Sequence, residues 1–132
     1  MTTTHYAACS CGQLHAAVAG DPIRVSLCNC LACQRRTGSA FGLQSRFTSA
    51  QVQLAGRSHE YLRVSDDGEQ RLFRFCPDCG ATVYFSEPHR PEAIAIPLGA
   101  FADPMFPAPS ISIYEDRMHE WLTLPAAMHH HD

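Results

Sequence analysis

The sequence predicts a mainly β fold built from short strands, with one short helix. Apolar residues alternate with polar ones in segments such as IRVSL at 23–27, which is typical of strands. Short runs of β-branched and aromatic residues, among them HEYLRV, QRLFRF and ATVYF, also favour strands. Nine prolines, several of them in FADPMFPAPS, discourage long helices in the second half of the chain.

The individual elements follow from local signals along the chain. The alternation of Ile23, Val25 and Leu27 predicts a half-buried strand. LACQRRTG is the one segment with helical character, since it has good helix formers from Leu31 onward and ends at Gly38. Further along, SDDGEQ separates two predicted strands and contains the Asp-Gly pair that is typical of hairpin turns. The CPDCG motif lies between the next two predicted strands.

The length, net charge and composition of the chain limit the class of protein. A chain of 132 residues has the length of one domain, so we expect a single domain over residues 1–132. The net charge of −3 and the scarcity of lysine argue against binding to nucleic acid. The start, MTTTHYAACSC, lacks the pattern of a signal peptide, and the apolar segment AIAIPLGAF is too short to span a bilayer. We therefore expect a cytoplasmic protein without a membrane or nucleic-acid partner.

Seven cysteines occur in three groups along the chain. In a reducing compartment, clustered cysteines are more often metal ligands than disulfides. CPDCG is half of a zinc site, because a tight turn aims both sulfurs at one ion. The other half comes either from CSCG, whose cysteines point to one side of an extended segment, or from two cysteines of the CNCLAC cluster. We prefer the first pairing because it uses each ligand once, which predicts a closed structural zinc site of Cys9, Cys11, Cys76 and Cys79.

The remaining cysteines, Cys28, Cys30 and Cys33, match the ligand number of an open catalytic zinc, whose fourth position is left for water or substrate. Cys30 and Cys33 fall near the first turn of the predicted helix, where backbone N–H groups favour thiolates. Arg35 and Arg36 follow directly. These arginines either offset the negative charge of the thiolates, or bind an anionic substrate, or lie as solvated residues on an exposed helix face.

The order CSCG, then CNCLACQRRTG, then FCPDCG resembles the glutathione-dependent formaldehyde-activating (GFA) family. The run from ADPMFP through SISIYEDRMHEWL is similar to the closing segment of that family, with Asp103, Pro104 and Trp121 at matching places. The resemblance covers nearly the whole chain, and seven cysteines in order make it specific.

This resemblance implies an Mss4-like β-sheet fold around a structural zinc held by the first and last cysteine pairs. It implies a catalytic zinc in the central CxCxxC cluster, and thus two Zn²⁺ ions per chain. It also implies a carbon–sulfur lyase type of activity, in which glutathione or another thiol adds to formaldehyde or a related small aldehyde, or the reverse. Arg35 and Arg36 are the candidates for contacts to the substrate.

Other interpretations share these motifs. One is a protein that binds zinc or a thiol without turnover, and another is a structural zinc module that recognises a partner. An enzyme related to methionine sulfoxide reductases needs a catalytic cysteine outside the metal clusters, and none of the seven is left over. We expect Tyr114 and Trp121 to lie in the core, and no histidine stands out as a general base.

Overall fold

The computed structural model describes residues 2–132 and confirms the mainly β fold with one α-helix. The helix α1 spans Leu31–Thr37. The strands are β1 (Thr4–Ala8), β2 (His15–Ala19), β3 (Arg24–Cys28), β4 (Gly42–Thr48), β5 (Val52–Ala55), β6 (His59–Val64), β7 (Gln70–Phe75), β8 (Thr82–Ser86), β9 (Ala93–Pro97), β10 (Ile111–Ile113) and β11 (His129–His130). Short 3₁₀ helices over Ser49–Gln51, Leu98–Phe101 and Glu115–Arg117 were not predicted.

The strands form two sheets that share one core. The smaller sheet has the order β1-β2-β5, and the larger has the order β11-β10-β3-β4-β9-β8-β7-β6. Strand β10 pairs in parallel with β3 and β11, while the other pairs are antiparallel. Val18 of the smaller sheet packs in the same buried cluster as Phe47, Val83 and Ile96 of the larger sheet. The main core therefore lies where the two sheets meet.

Strand β3 differs from the half-buried strand that the alternation predicts. Ile23 lies just before the strand and is 62% exposed, whereas Val25, Ser26 and Leu27 are all buried. The strand is interior to the larger sheet, between β10 and β4, and both of its faces are covered. Of the two polar residues of IRVSL, Arg24 is exposed but Ser26 is buried, so the alternation does not mark a solvent-facing side along the whole strand.

Helix α1 begins and ends where the sequence predicts. Cys30 is the N-cap, and its sulfur accepts a hydrogen bond from the backbone N–H of Cys33. Gly38 adopts the left-handed conformation after the last helical residue, with φ of 65°, and its N–H donates to the carbonyl of Gln34. This C-terminal geometry is one that glycine adopts without steric cost.

The predicted hairpin between β6 and β7 is also confirmed. Gly68 has a φ of 86°, and the backbone N–H of Ser65 donates to the carbonyl of Glu69 across the turn. The next connection, between β7 and β8, carries the CPDCG motif. The hairpin turn and the motif thus lie at opposite ends of β7.

The C-terminal segment corrects one expectation. Trp121 is 71% exposed and Tyr114 is 44% exposed, so neither lies in the core. The segment is held instead by β11 and by a hydrogen bond of 2.7 Å between His130 Nδ1 and Glu115 Oε2. This bond raises the pKa of His130 above its ordinary value. None of the helices in residues 2–132 has the length and apolar character needed to cross a membrane.

Gly56, directly after β5, is the glycine whose replacement the fold tolerates least. Its φ is +100°, and a Cβ there would lie 2.1 Å from the backbone oxygen of Gln13 and 2.8 Å from the Cα of Leu14. We expect Gly56→Ala to lower the free energy of unfolding by about 3 kcal/mol or more, as measured by urea denaturation. Gly99→Ala is the control, because its added Cβ would meet no atom within 4 Å, and it should cost less than about 1 kcal/mol. Similar stabilities of the two variants would contradict the prediction.

Candidate metal centres

Four cysteines from two distant parts of the chain, near its start and near its middle, meet in the fold. Cys9 and Cys11 follow β1, and Cys76 and Cys79 follow β7. All four sulfurs lie within 4.8 Å of one another, and Cys11 Sγ lies 3.6 Å from the sulfurs of both Cys9 and Cys76. Tetrahedral zinc with Zn–S bonds of ~2.3 Å places its sulfurs ~3.8 Å apart, so the group fits such an ion. We call these residues the four-cysteine centre.

Two tight turns shape the four-cysteine centre. The N–H of Gly12 donates to the carbonyl of Cys9 at 3.0 Å, and the N–H of Gly80 donates to that of Cys76 at 2.8 Å. Cys9 and Cys11 therefore lie on a turn, and the extended segment expected for CSCG is not what brings their sulfurs together. Backbone N–H groups also reach the sulfurs, as from Leu14 to Cys9 Sγ at 3.3 Å. Such N–H donors stabilise thiolates.

Gln13 connects this centre to the segment that follows Gly56, between β5 and β6. Its side-chain Nε2 donates to Cys76 Sγ at 3.0 Å and to the carbonyl of Arg57 at 2.8 Å, while its Oε1 accepts from the N–H of Arg57 at 2.9 Å. Burial raises the pKa of Cys76, but the hydrogen bonds from Gln13 and from backbone N–H groups outweigh it and lower the pKa to about 6. Sequence reasoning missed Gln13, because its contacts join residues more than forty positions apart.

The other three cysteines form a separate group, the three-cysteine centre. Cys28 ends β3, Cys30 caps α1, and Cys33 lies in the first turn of the helix. Their sulfurs lie within 4.8 Å of one another. Among residues 2–132, no fourth cysteine, histidine or carboxylate joins this group. Three sulfurs at this spacing fit a tetrahedral ion that keeps one position open.

The three sulfurs of this centre have different surroundings. Hydrogen bonds from Cys28 and Cys33 lower the pKa of Cys30 to about 2, with smaller contributions from the N–H of Cys33 and the charge of Arg63. Hydrogen bonds to Cys30 and Cys33, together with burial, raise the pKa of Cys28. Gln44 Nε2 donates to Cys33 Sγ at 3.7 Å. Cys30 therefore loses its proton more readily than Cys28.

Asn29 holds the backbone between Cys28 and Cys30 in place. Its fully buried side chain donates to Ser112 Oγ and to the carbonyl of Ile113, both at 3.0 Å. Gln34 Nε2 in turn donates to the carbonyl of Asn29 at 2.8 Å. The asparagine of CNCLAC is thus a structural anchor that the cysteine spacing alone does not reveal.

The two arginines of α1 have different environments. Arg35 is exposed, whereas Arg36 is half-buried and its Cζ lies 5.4 Å from the ring centre of Phe73 and 5.5 Å from that of Phe85. The Nε and Nη2 atoms of Arg36 are buried and have no hydrogen-bond partner among the described residues. The interpretation as a solvated residue on an exposed face is therefore wrong for Arg36.

Arg63 on β6 is a second cation in this region that sequence reasoning missed. Its Cζ lies 5.0 Å from the ring centre of Phe73, the ring that Arg36 also contacts. The alternation of HEYLRV places Tyr61 and Arg63 on one face of the hairpin. That this face lies against α1 depends on tertiary packing, which the alternation does not reveal.

The fold and the two centres define a small, mainly β protein with two cysteine clusters that can each hold a metal ion. The family model of the glutathione-dependent formaldehyde-activating enzymes matches residues 4–117. The chain belongs to this family, as the cysteine pattern predicts, and the match ends before Trp121.

A solved structure of a Rhodobacter sphaeroides protein shares this fold. The two chains superpose with a TM-score of 0.54 at 17% sequence identity, over 72% of this chain and 85% of the other. No curated protein matches the sequence. The similarity to the solved structure supports the fold, which is consistent with the Mss4-like architecture, and does not bear on activity.

Proposed function

We propose that the protein is a zinc-dependent enzyme of the carbon–sulfur lyase type, which adds glutathione or a similar thiol to formaldehyde or a related small aldehyde. Family membership supports a glutathione-related, formaldehyde-activating function. The observation that carries the proposal is the three-cysteine centre, in which three sulfurs converge and no fourth protein ligand joins them within residues 2–132.

In this proposal, Cys9, Cys11, Cys76 and Cys79 hold a structural zinc, and Cys28, Cys30 and Cys33 hold a catalytic one. Only sulfur donors occur in either group, and thiolates are ligands that zinc prefers. Held by Cys28, Cys30 and Cys33, a zinc ion would keep one further coordination position, which would favour the ionised form of a thiol. The free thiols of all seven cysteines also fit a reducing compartment such as the cytoplasm.

The reaction requires few groups from the protein. The thiol sulfur forms a bond to the aldehyde carbon, the carbonyl π bond opens, and the proton lost by the thiol ends on the carbonyl oxygen. Asn29, Gln34 and Gln44 keep the cysteine loop in one arrangement through their hydrogen bonds. Arg35 and Arg36 lie on the helix that carries Cys33 and line a cavity, and in this proposal they contact the substrate. Fixed ligands and fixed charges cost no reorganisation during reaction.

The proposal is tested by combining native mass spectrometry with a rate measurement. In the mass spectrum we expect two zinc ions per chain and one retained glutathione. We also expect the S-hydroxymethyl adduct to form faster with the protein than in solution, as measured by exchange NMR with ¹³C-formaldehyde. Glutathione binding without any acceleration would identify a non-catalytic thiol-binding protein. One zinc and no glutathione would reject both the catalytic centre and the thiol substrate.

A further inference from the structure

A cavity lies between α1 and the β6–β7 hairpin, next to the three-cysteine centre. Its volume is about 390 Å³, which is within the range of small-molecule sites. Three arginines and three aromatic residues contribute to its lining: Arg35, Arg36, Arg63, Tyr61, Phe73 and Phe75. The cavity therefore combines positive charge with aromatic walls, and we call it the arginine cavity.

Arg36, which lines the arginine cavity, comes close to the three-cysteine centre beside Gly42. A Cβ placed on Gly42 would lie 3.1 Å from Arg36 Nη2 and 3.2 Å from the Cβ of Cys33. Arg36 and Cys33 thus approach each other where β4 has no side chain. Arg36 also borders a larger cleft of about 790 Å³ on its other side, but that cleft has no second arginine in its lining.

Within the described part of the chain, no carboxylate pairs with the arginines of the arginine cavity. Among residues 2–132, Arg35, Arg36 and Arg63 have no carboxylate oxygen within 4.0 Å of their guanidinium nitrogens. Six other arginines do have such a partner: Arg46, Arg57, Arg71, Arg74, Arg90 and Arg117. The guanidinium groups of Arg36 and Arg63 both lie near the Phe73 ring, and both residues line the cavity. An anion bound in the cavity would be attracted by both charges.

Arg36 also has unused hydrogen-bond donors. Its buried Nε and Nη2 have no partner, although buried polar groups in proteins are nearly always paired. These two nitrogens form the edge of a guanidinium that binds a carboxylate through two parallel hydrogen bonds. The guanidinium that carries these two donors belongs to a residue that lines the cavity.

We propose that the arginine cavity binds a carboxylate group of the thiol substrate, so that the enzyme is selective for thiols that carry a carboxylate. This inference rests on the proposed function and adds to it the class of thiol and the residue Arg63. The cations bind the carboxylate, and the aromatic walls pack against the apolar part of the same molecule. Arg63 is a specificity-determining residue in this arrangement.

The test uses S-methylglutathione, which has the carboxylates but no free thiol, and its diethyl ester, which lacks the carboxylates. Binding to the zinc-loaded protein is measured by calorimetry at constant ionic strength. We expect the ester to bind roughly tenfold more weakly or worse, because it loses charge-assisted hydrogen bonds. Arg63→Gln should weaken binding of the acid by a similar factor and leave binding of the ester unchanged.

Arg74→Gln is the matched control, because it removes the same charge from the same hairpin at a residue that pairs with Glu60. We expect the acid to bind this variant within twofold of the wild type. Equal binding of S-methylglutathione and its diethyl ester to the wild type would overturn the carboxylate site. The site would also be overturned if inorganic phosphate displaced S-methylglutathione more strongly than acetate does.

Measurements of turnover distinguish a failure of this inference from a failure of the proposed function. Equal kcat/KM for glutathione and its diethyl ester would overturn the carboxylate site and leave the enzyme assignment standing. If no thiol is turned over while S-methylglutathione still binds through Arg63, the enzyme assignment fails and the carboxylate site remains.

Discussion

Replacement of Cys76 by serine is expected to abolish cooperative folding of the protein. Cys76 has no exposed surface and belongs to the main buried cluster. Its sulfur lies 3.6 Å from Cys11 Sγ and accepts a hydrogen bond from Gln13, so it joins the connection between β7 and β8 to the turn that follows β1. Zinc binding contributes ~10–16 kcal/mol in small structural sites, which is comparable to the ~5–15 kcal/mol that stabilise a whole domain.

Circular dichroism and thermal denaturation measure this effect, and native mass spectrometry counts the zinc ions. We expect Cys76→Ser to lose the cooperative transition, and removal of zinc from the wild type by a strong chelator to have the same effect. The matched control is a cysteine-to-serine change in the three-cysteine centre. If Cys76→Ser retained a transition within a few degrees of the wild type, the four-cysteine centre would not be the structural metal site.

Replacement of Cys30 by serine is expected to abolish turnover and to leave the fold intact. The variant keeps only two sulfurs, Cys28 and Cys33, in the three-cysteine centre, too few for the proposed zinc. The helix keeps its cap, because serine is a preferred N-cap residue and its oxygen accepts from the N–H of Cys33 in place of the sulfur. We therefore expect the rate of adduct formation to fall to that of the solution reaction.

The thermal transition of Cys30→Ser should remain cooperative, with one zinc ion per chain instead of two. The change in the free energy of unfolding should stay near the ~1 kcal/mol that is typical of point substitutions. Wild-type turnover in this variant would contradict the catalytic assignment. A loss of turnover together with loss of the cooperative transition would show instead that the three-cysteine centre supports the fold.

Local sequence signals predicted those elements whose geometry depends on neighbouring residues. Helix α1 occurs where predicted because its N-cap and the left-handed Gly38 both lie within the segment. The β6–β7 hairpin occurs where predicted because Gly68 accepts the positive φ of its turn. The burial of β3 was not predicted, because alternation reports the two faces of a strand and not what covers them.

The spacing of the cysteines along the chain predicted part of the two candidate centres. Cysteines two or three positions apart can bind one ion, and the structure groups the seven as four and three. The sequence did not predict that Arg36 has buried hydrogen-bond donors without a partner, or that Arg63 lies near Phe73. Both depend on how the β6–β7 hairpin packs against α1, which residues close in sequence do not encode.

The sequence by itself determined the strand-rich class, the place of the helix, and which cysteines lie near each other along the chain, because turn, cap and ligand-spacing rules act over a few residues. The tertiary structure decided which cysteine pairs meet, since Cys9 and Cys11 reach Cys76 and Cys79 only through the approach of the two sheets. It also decided that three arginines without carboxylate partners surround one cavity. Burial and unpaired charge arise from contacts between distant segments, so only the folded chain reveals them.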